Sequence, residues 1–369
     1  MQRLVLSASL TILLFVPGLV VAQPSPRPSA TVAAAPPVAS PAPATIDTLE
    51  PEDLQKVIPL LKEHYVDPSA LSETELRRAT LAGLLSRLGR GAVLLPARPA
   101  ASPAAPPFYR EIIAGHIGYL RPGDLSRPQL QEMDTTLRWF TGKSVDAVIL
   151  DLRSGGETND YEFAAEFADR FVAKNKPLFS LRGAGGKVVR DFVAKQDPIF
   201  SGFVVLLADG ETAGAMEALA AVLRSSDKAI LIGEKTAGRA VDYTDLPLPS
   251  GKILRVAVAE AILPERQPRF PEGIPPDLPV ALPRKEKREI FSQSLTKGME
   301  PFVFENDRPH LNEAALLAGT NPEIEAAQAA QQRRAQGDDK PALHDVALQR
   351  AVDLVTSIGV YEKHPARSP

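Results

Sequence analysis

The chain contains no cysteine. Disulfides, thiolate metal sites and a cysteine nucleophile are therefore excluded. No ligand spacing marks a metal site, and no motif calls for a cofactor. An excess of one charge is also lacking: 42 basic and 45 acidic residues leave a net charge of −3. That balance gives no reason to expect nucleic acid or an anionic membrane surface as partner. No long-period internal repeat is visible.

What is present is enough apolar material for a core, 44% of 369 residues, in one large domain or two smaller ones. One long apolar run follows Arg3, from Leu4 to Ala22, interrupted by Pro17-Gly18 and ending in small residues. It predicts a signal peptide over 1–22 and an exported protein, periplasmic or extracellular. An uncleaved N-terminal membrane anchor is the alternative, because the run approaches the length of a spanning helix. Residues 23–47 are Pro, Ala and Ser with almost no large apolar side chains, so they predict a disordered linker. A second Pro/Ala linker covers 96–107.

Between the linkers, 48–95 predicts a helical segment. Leu54, Val57, Ile58 and Leu61 share one face, Pro59 argues for a kink or early end, and Ser72-Glu-Thr-Glu75 forms a capping box. From Ile117 the pattern becomes α/β. Strands are expected at Ile117–Leu120, Val145–Arg153, Phe203–Leu207 and Ala229–Ile232. Helices are expected at Leu130–Phe140, Asp160–Val172 and Ala213–Leu223, with a hairpin around Gly183–Gly186. Strand, helix, strand with short links implies parallel pairing through crossover helices. After this core (108–285), a helical extension (286–369) is expected: short helices at 312–317 and 322–336, and a packing helix from Val346 to Ile358 with Leu348, Val352 and Val355 on one stripe.

Amide hydrolysis needs a nucleophile, a base and donors for the developing oxyanion. A helix start after a strand offers free N–H groups, and Glu211-Thr-Ala-Gly-Ala215 is such a place. Ala215 belongs to that helix start, and the glycine turn Gly155-Gly156, at the end of another strand, is a second source of donors.

In order along the chain, Val148-Ile-Leu-Asp-Leu-Arg153 with Gly155-Gly156, Thr212-Ala-Gly-Ala-Met-Glu217, Gly233-Glu-Lys-Thr-Ala-Gly238 and Gly273-Ile-Pro-Pro-Asp277 resemble the motifs of the tail-specific, C-terminal processing serine peptidases. Ile117-Gly-Tyr-Leu and, upstream, His64-Tyr-Val-Asp-Pro68 are similar to further segments of that family. The resemblance covers roughly 50–95 and 115–285. It implies a ClpP/crotonase-like α/β core and an extended polypeptide or partner protein as ligand. No PDZ domain fits in the 96–107 gap where the family carries one.

The resemblance also places the family's nucleophilic serine at Gly214, its lysine base at Arg239 and its assisting glutamine at Tyr243. Glycine has nothing to attack with, and arginine keeps its proton at physiological pH. A sister branch manages without the lysine, using a histidine, and His116 is the histidine close in sequence to the core. Thr212 is expected as a helix cap, Asp151 and Arg153 as an ion pair, Lys235 as a solvated or paired lysine, and Ser154 as a bystander. The expected function is an exported family member without catalysis that retains a peptide cleft. The alternatives are an endopeptidase of envelope or secreted polypeptides with non-standard residues, and a structural scaffold. The sequence leaves the oligomeric state open.

Overall fold

The computed structural model describes residues 48–97, 105–156, 158–225, 228–264, 270–303 and 343–363. The predicted signal peptide, the 23–47 linker, most of 96–107 and the helices expected at 312–317 and 322–336 lie outside these residues. Contacts divide the chain into two compact units, Met1–Leu76 and Arg77–Pro369.

In the first unit, α1 (Pro51–His64) starts with Pro51, where a missing N–H costs nothing. Pro59 neither ends nor shortens it as expected: the helix continues for five residues, and one lost ladder bond is tolerated. Ser72 opens α2 (Glu73–Leu88), most of which belongs to the second unit, as a capping box would, its Oγ accepting from the Glu75 N–H at 3.3 Å.

The second unit begins with a departure from the sequence reading. Residues of the predicted helical segment form β1 (Ala92–Leu95). Then come β2 (Tyr109–Ile113), β3 (Ile117–Arg121), α3 (Arg127–Gly142), β4 (Ala147–Asp151) and α4 (Tyr161–Ala168). The expected hairpin is β5 (Pro177–Gly183) and β6 (Val188–Val193). It is followed by β7 (Phe203–Ala208), α5 (Ala215–Arg224), β8 (Ala229–Gly233), β9 (Val241–Pro247), β10 (Ile253–Ile262), β11 (Leu278–Pro279), α6 (Arg284–Lys297) and α7 (Val346–Lys363).

The main sheet has the order β11-β8-β7-β4-β3-β2, parallel from β11 to β3 and antiparallel at β2. All five residues of β4 are buried, and its first four form the continuous apolar run of a strand covered on both faces, closed by Asp151. Val148 and Leu150 point to a core shared with α3, α4 and α5. Ala147 and Ile149 point to a second core containing Ile290 of α6 and Leu348, Val352 and Val355 of α7. The predicted stripe on the last helix therefore packs on the sheet, and each such side chain contributes about 1.5–3 kcal/mol. A second sheet pairs β10 with β9 and, along its other edge, with β1 and β5, while β6 extends β5. β1 escapes sequence reading because four apolar residues acquire strand identity only from their partner β10. The α/β class with crossover helices stands as expected. Among the described residues, no helix is long and apolar enough to cross a membrane.

Candidate functional site

The parallel strands β4, β7 and β8 end side by side, with Asp151 opposite Leu207 and Ala208 opposite Gly233. Loops leaving such carboxyl ends build ligand sites in open α/β sheets. Here they wall a cleft of about 1180 Å3 whose lining includes Ser154, Gly156, Thr158, Arg239 and Tyr243.

A turn built on Thr212 links β7 to α5. Its Oγ1 donates to the Leu152 carbonyl at 3.1 Å and accepts from the Asp209 N–H at 3.1 Å. Thr212 thus closes the turn and ties it to the end of β4. It is not the expected helix cap, since Gly214 occupies that position. Gly214 has φ 61° and ψ −134°, a conformation glycine adopts freely and other residues only under strain.

Gly214 is buried, and it pairs with Thr158 in a parallel bridge. The Thr158 carbonyl accepts the Ala215 N–H at 2.7 Å, and the Gly214 N–H donates to the Arg239 carbonyl at 3.1 Å. A Cβ on Gly214 would stand 2.3 Å from the Thr158 oxygen. The slot at the helix start is therefore filled by the protein's own backbone, and neither Gly214 nor Ala215 lines the cleft.

This arrangement removes Ala215 from the expected oxyanion group, while Gly155 and Gly156 line the cleft. The N–H of Ala215 is already engaged, and Ala215 is fully buried. Gly155 is buried where a Cβ would meet Met216 Cε at 2.5 Å. Gly156 is exposed, with open space beside it.

The end of β8 is organised by Glu217. Its carboxylate accepts from Thr236 Oγ1 at 2.5 Å, from the Gly238 N–H at 3.0 Å and from the Arg239 N–H at 2.8 Å. Burial pushes its carboxyl above the usual range, against these hydrogen bonds and the charge of Arg239. Thr236 Oγ1 also accepts from the Ile274 N–H at 2.7 Å, and Asp277 accepts from the Leu231 N–H at 2.9 Å while pairing with Arg224. The motif segments 212–217, 233–238 and 273–277 are thus one hydrogen-bonded unit.

Tyr243 donates from its hydroxyl to the Arg90 carbonyl at 2.9 Å, and Arg90 Nη1 donates to the Ala237 carbonyl. The turn after α2 is clamped on the strand end by this pair.

Tertiary contacts also bring in residues that sequence reasoning missed. Arg153 pairs with Asp151 at 2.7 Å, as expected, and with Asp345 at 2.8 Å, 192 residues away. Tyr119 donates to Asp151 at 2.8 Å. Burial pushes the Asp151 carboxyl up, but the Arg153 guanidinium outweighs it and holds the group below its ordinary value. Lys287, almost fully buried, donates to Asp209, to Glu211 at 2.7 Å and to the Arg153 carbonyl at 3.0 Å. Local sequence carries no signal for Asp345 or Lys287, because their partners come from distant loops.

The other candidates lie elsewhere or are engaged. His116 precedes β3, at the opposite end of the sheet from the cleft, and its Nδ1 contacts the Ala114 carbonyl at 2.7 Å. A base role in the cleft is excluded by that position. Ser154 donates to the Pro122 carbonyl at 2.7 Å, and Lys235 pairs with Glu272 at 3.2 Å. Among the described residues, no group of three or more His, Asp or Glu could hold a metal ion.

Residues 116–280, the segment that contains the cleft loops and all three interlocked motifs, match the profile of peptidase family S41. The core is similar to the domain of peptidase family S41. The carboxyl-terminal-processing protease of Picosynechococcus sp. is 28% identical over 163 residues, 44% of this chain and 38% of that protein. The carboxy-terminal processing protease CtpA of Bacillus subtilis is 27% identical over 175 residues, 47% of this chain and 37% of that protein. The chain thus spans about two-fifths of the length of the curated relatives it matches. A solved structure of the photosystem II D1 C-terminal processing protease aligns over 52% of this chain and 47% of that chain, with 23% identity and a TM-score of 0.41.

In this core the filled slot and the open cleft are neighbours with different walls. Thr158 belongs to both: its carbonyl closes the helix start, and the residue is part of the cleft lining.

Proposed function

We propose that this chain is a non-hydrolytic, exported S41-domain protein that holds an extended polypeptide or partner protein in the cleft beside Gly214. One observation carries the reading: Gly214 lacks a nucleophilic side chain, and the Thr158 carbonyl stands where such a side chain would begin. Loss of a serine nucleophile costs on the order of 10⁶ in turnover. The hydroxyl nearest Gly214 in sequence and the one beside the glycine turn are engaged elsewhere. Thr212 is buried and spent on backbone groups, and Ser154 donates to a carbonyl. Neither cation can serve as a base: Arg239 keeps its proton, and Lys287 is held between two carboxylates. Export rests on the apolar run Leu4–Ala22, and N-terminal sequencing of the mature protein tests it: a chain still beginning at Met1 would contradict cleavage.

The purified chain is expected to leave casein intact and to resist labelling by a fluorophosphonate serine probe. Labelling that disappears in Ser154→Ala or Thr212→Val would overturn the non-hydrolytic reading.

A further inference from the structure

The cleft wall is rich in guanidinium groups: Arg90, Arg121, Arg239, Arg255, Arg284 and Arg288 all line it. They converge from separate parts of the chain. Arg90 comes from the turn after α2, Arg121 from β3, Arg239 from the loop between β8 and β9, Arg255 from β10, and Arg284 and Arg288 from α6. The carboxylates on the same wall are Asp124 and Glu211, and Arg255 is paired by Asp245 at 2.7 Å. Glu211 is shared by three cations, Lys287 at 2.7 Å, Arg288 at 2.9 Å and Arg284 at 3.9 Å. Such convergence is notable in a chain whose net charge is −3.

Arg121 gives the cleft an inner cation of a different kind. It is 3% exposed. Its guanidinium lies 3.9 Å from the Phe291 ring centre and 4.8 Å from that of Tyr109. It donates to Ser294 Oγ at 3.0 Å and to the Tyr119 hydroxyl at 3.3 Å. Among the described residues no carboxylate forms an ion pair with it, although its neighbour Arg153 has two. Asp151 feels its charge from beyond the Tyr119 hydroxyl, which accepts from Arg121 and donates to Asp151, and a direct carboxylate partner is left for a ligand to supply.

Resting on the cleft reading above, we infer that the occupant of the cleft is an acidic polypeptide whose Asp or Glu side chains meet these arginines, with Arg121 innermost. Planar guanidinium groups match carboxylates in a two-pronged geometry. Phe291 and Leu295 add apolar wall between the charges, which a polypeptide backbone with aliphatic side chains can cover. Opposite charge across such a cleft speeds encounter and fixes register, and salt weakens it.

The test is fluorescence anisotropy on the full chain with four labelled probes. These are a C-terminally amidated Glu/Ala peptide, a matched Lys/Ala peptide, a neutral peptide with a free C-terminus and an oligo-dT strand. The Glu/Ala peptide is expected to bind at least tenfold tighter than the other three. Its affinity is expected to fall at least tenfold in the double variant Arg284→Glu/Arg288→Glu, and again in 0.5 M salt. Both arginine side chains are about 70% exposed, so the double variant should retain its fold, checked by circular dichroism. Equal binding of the neutral, basic or nucleic-acid probe, or an unchanged affinity in the double variant, overturns the acidic-ligand inference. Binding by the neutral or basic peptide would still leave the peptide cleft standing. No binding by any of the three peptides overturns the cleft reading as well.

Discussion

The Thr158 carbonyl accepts the Ala215 N–H at 2.7 Å across a parallel bridge to Gly214. Missing serine and filled slot are therefore one structural feature. Any side chain at 214 must displace Thr158 as well as adopt a positive φ.

Gly214→Ser is accordingly expected to destabilise the chain without creating activity. The backbone conformation alone costs about 1–3 kcal/mol for a non-glycine residue, and the contact with Thr158 adds to it. Gly156→Ala is the control: its Cβ would meet nothing within 4 Å, and its effect should stay within about 0.5 kcal/mol. Urea denaturation of both variants checks the difference, and equal stabilities would contradict the close contact.

Arg153 joins the end of β4 to Asp345, just before α7. Removing it as Arg153→Met leaves two buried carboxylates without their cation, at a cost of about 3–5 kcal/mol. The pH dependence should change sign. In the natural protein the Asp151 carboxyl is held below its ordinary value. Its contribution is complete above the unfolded pKa, about 3.9, and is lost as pH falls through the lowered folded value. In the variant the largest influence, burial, is opposed by the more distant Arg121 charge and the Tyr119 hydroxyl but no longer by the guanidinium, so the neutral acid is favoured and stability should rise from pH 7 toward pH 5. Thermal melts across that range check it: a variant that loses stability on acidification would refute the role given to Arg153.

Glu217 holds three donors with one carboxylate. Glu217→Ala strands the Gly238 and Arg239 N–H groups and the Thr236 hydroxyl, which should cost about 3 kcal/mol or more. Hydrogen exchange at the Gly238 and Arg239 amides should quicken beyond the global change in stability. Unchanged protection there would show that the strand end is held by other contacts.

Much of this architecture was legible because its causes are local. The apolar runs of β4 (up to Asp151) and β7, the Phe163 and Phe167 spacing in α4 and the stripe of α7 are patterns that mean the same thing wherever they occur. Boundaries shifted by a few residues, as at α4, which ends at Ala168 rather than near Val172. β1 was not legible, because its strand identity depends on β10. Thr212 was misread as a cap because a threonine before a helix looks the same whether its hydroxyl turns to the helix or, as here, back to Leu152.

The sequence by itself determined the order of the α/β elements and the absence of a nucleophilic side chain at Gly214, since both are properties of residue type and spacing. Only the tertiary structure decided that Thr158 fills the helix-start slot, that Asp345 neutralises Arg153 and that Arg121 faces the cleft without a paired carboxylate. Each of these depends on which distant segments the sheet brings together. Buried carbonyls, N–H groups and charges must find partners in space, and a one-dimensional pattern does not record where those partners come from.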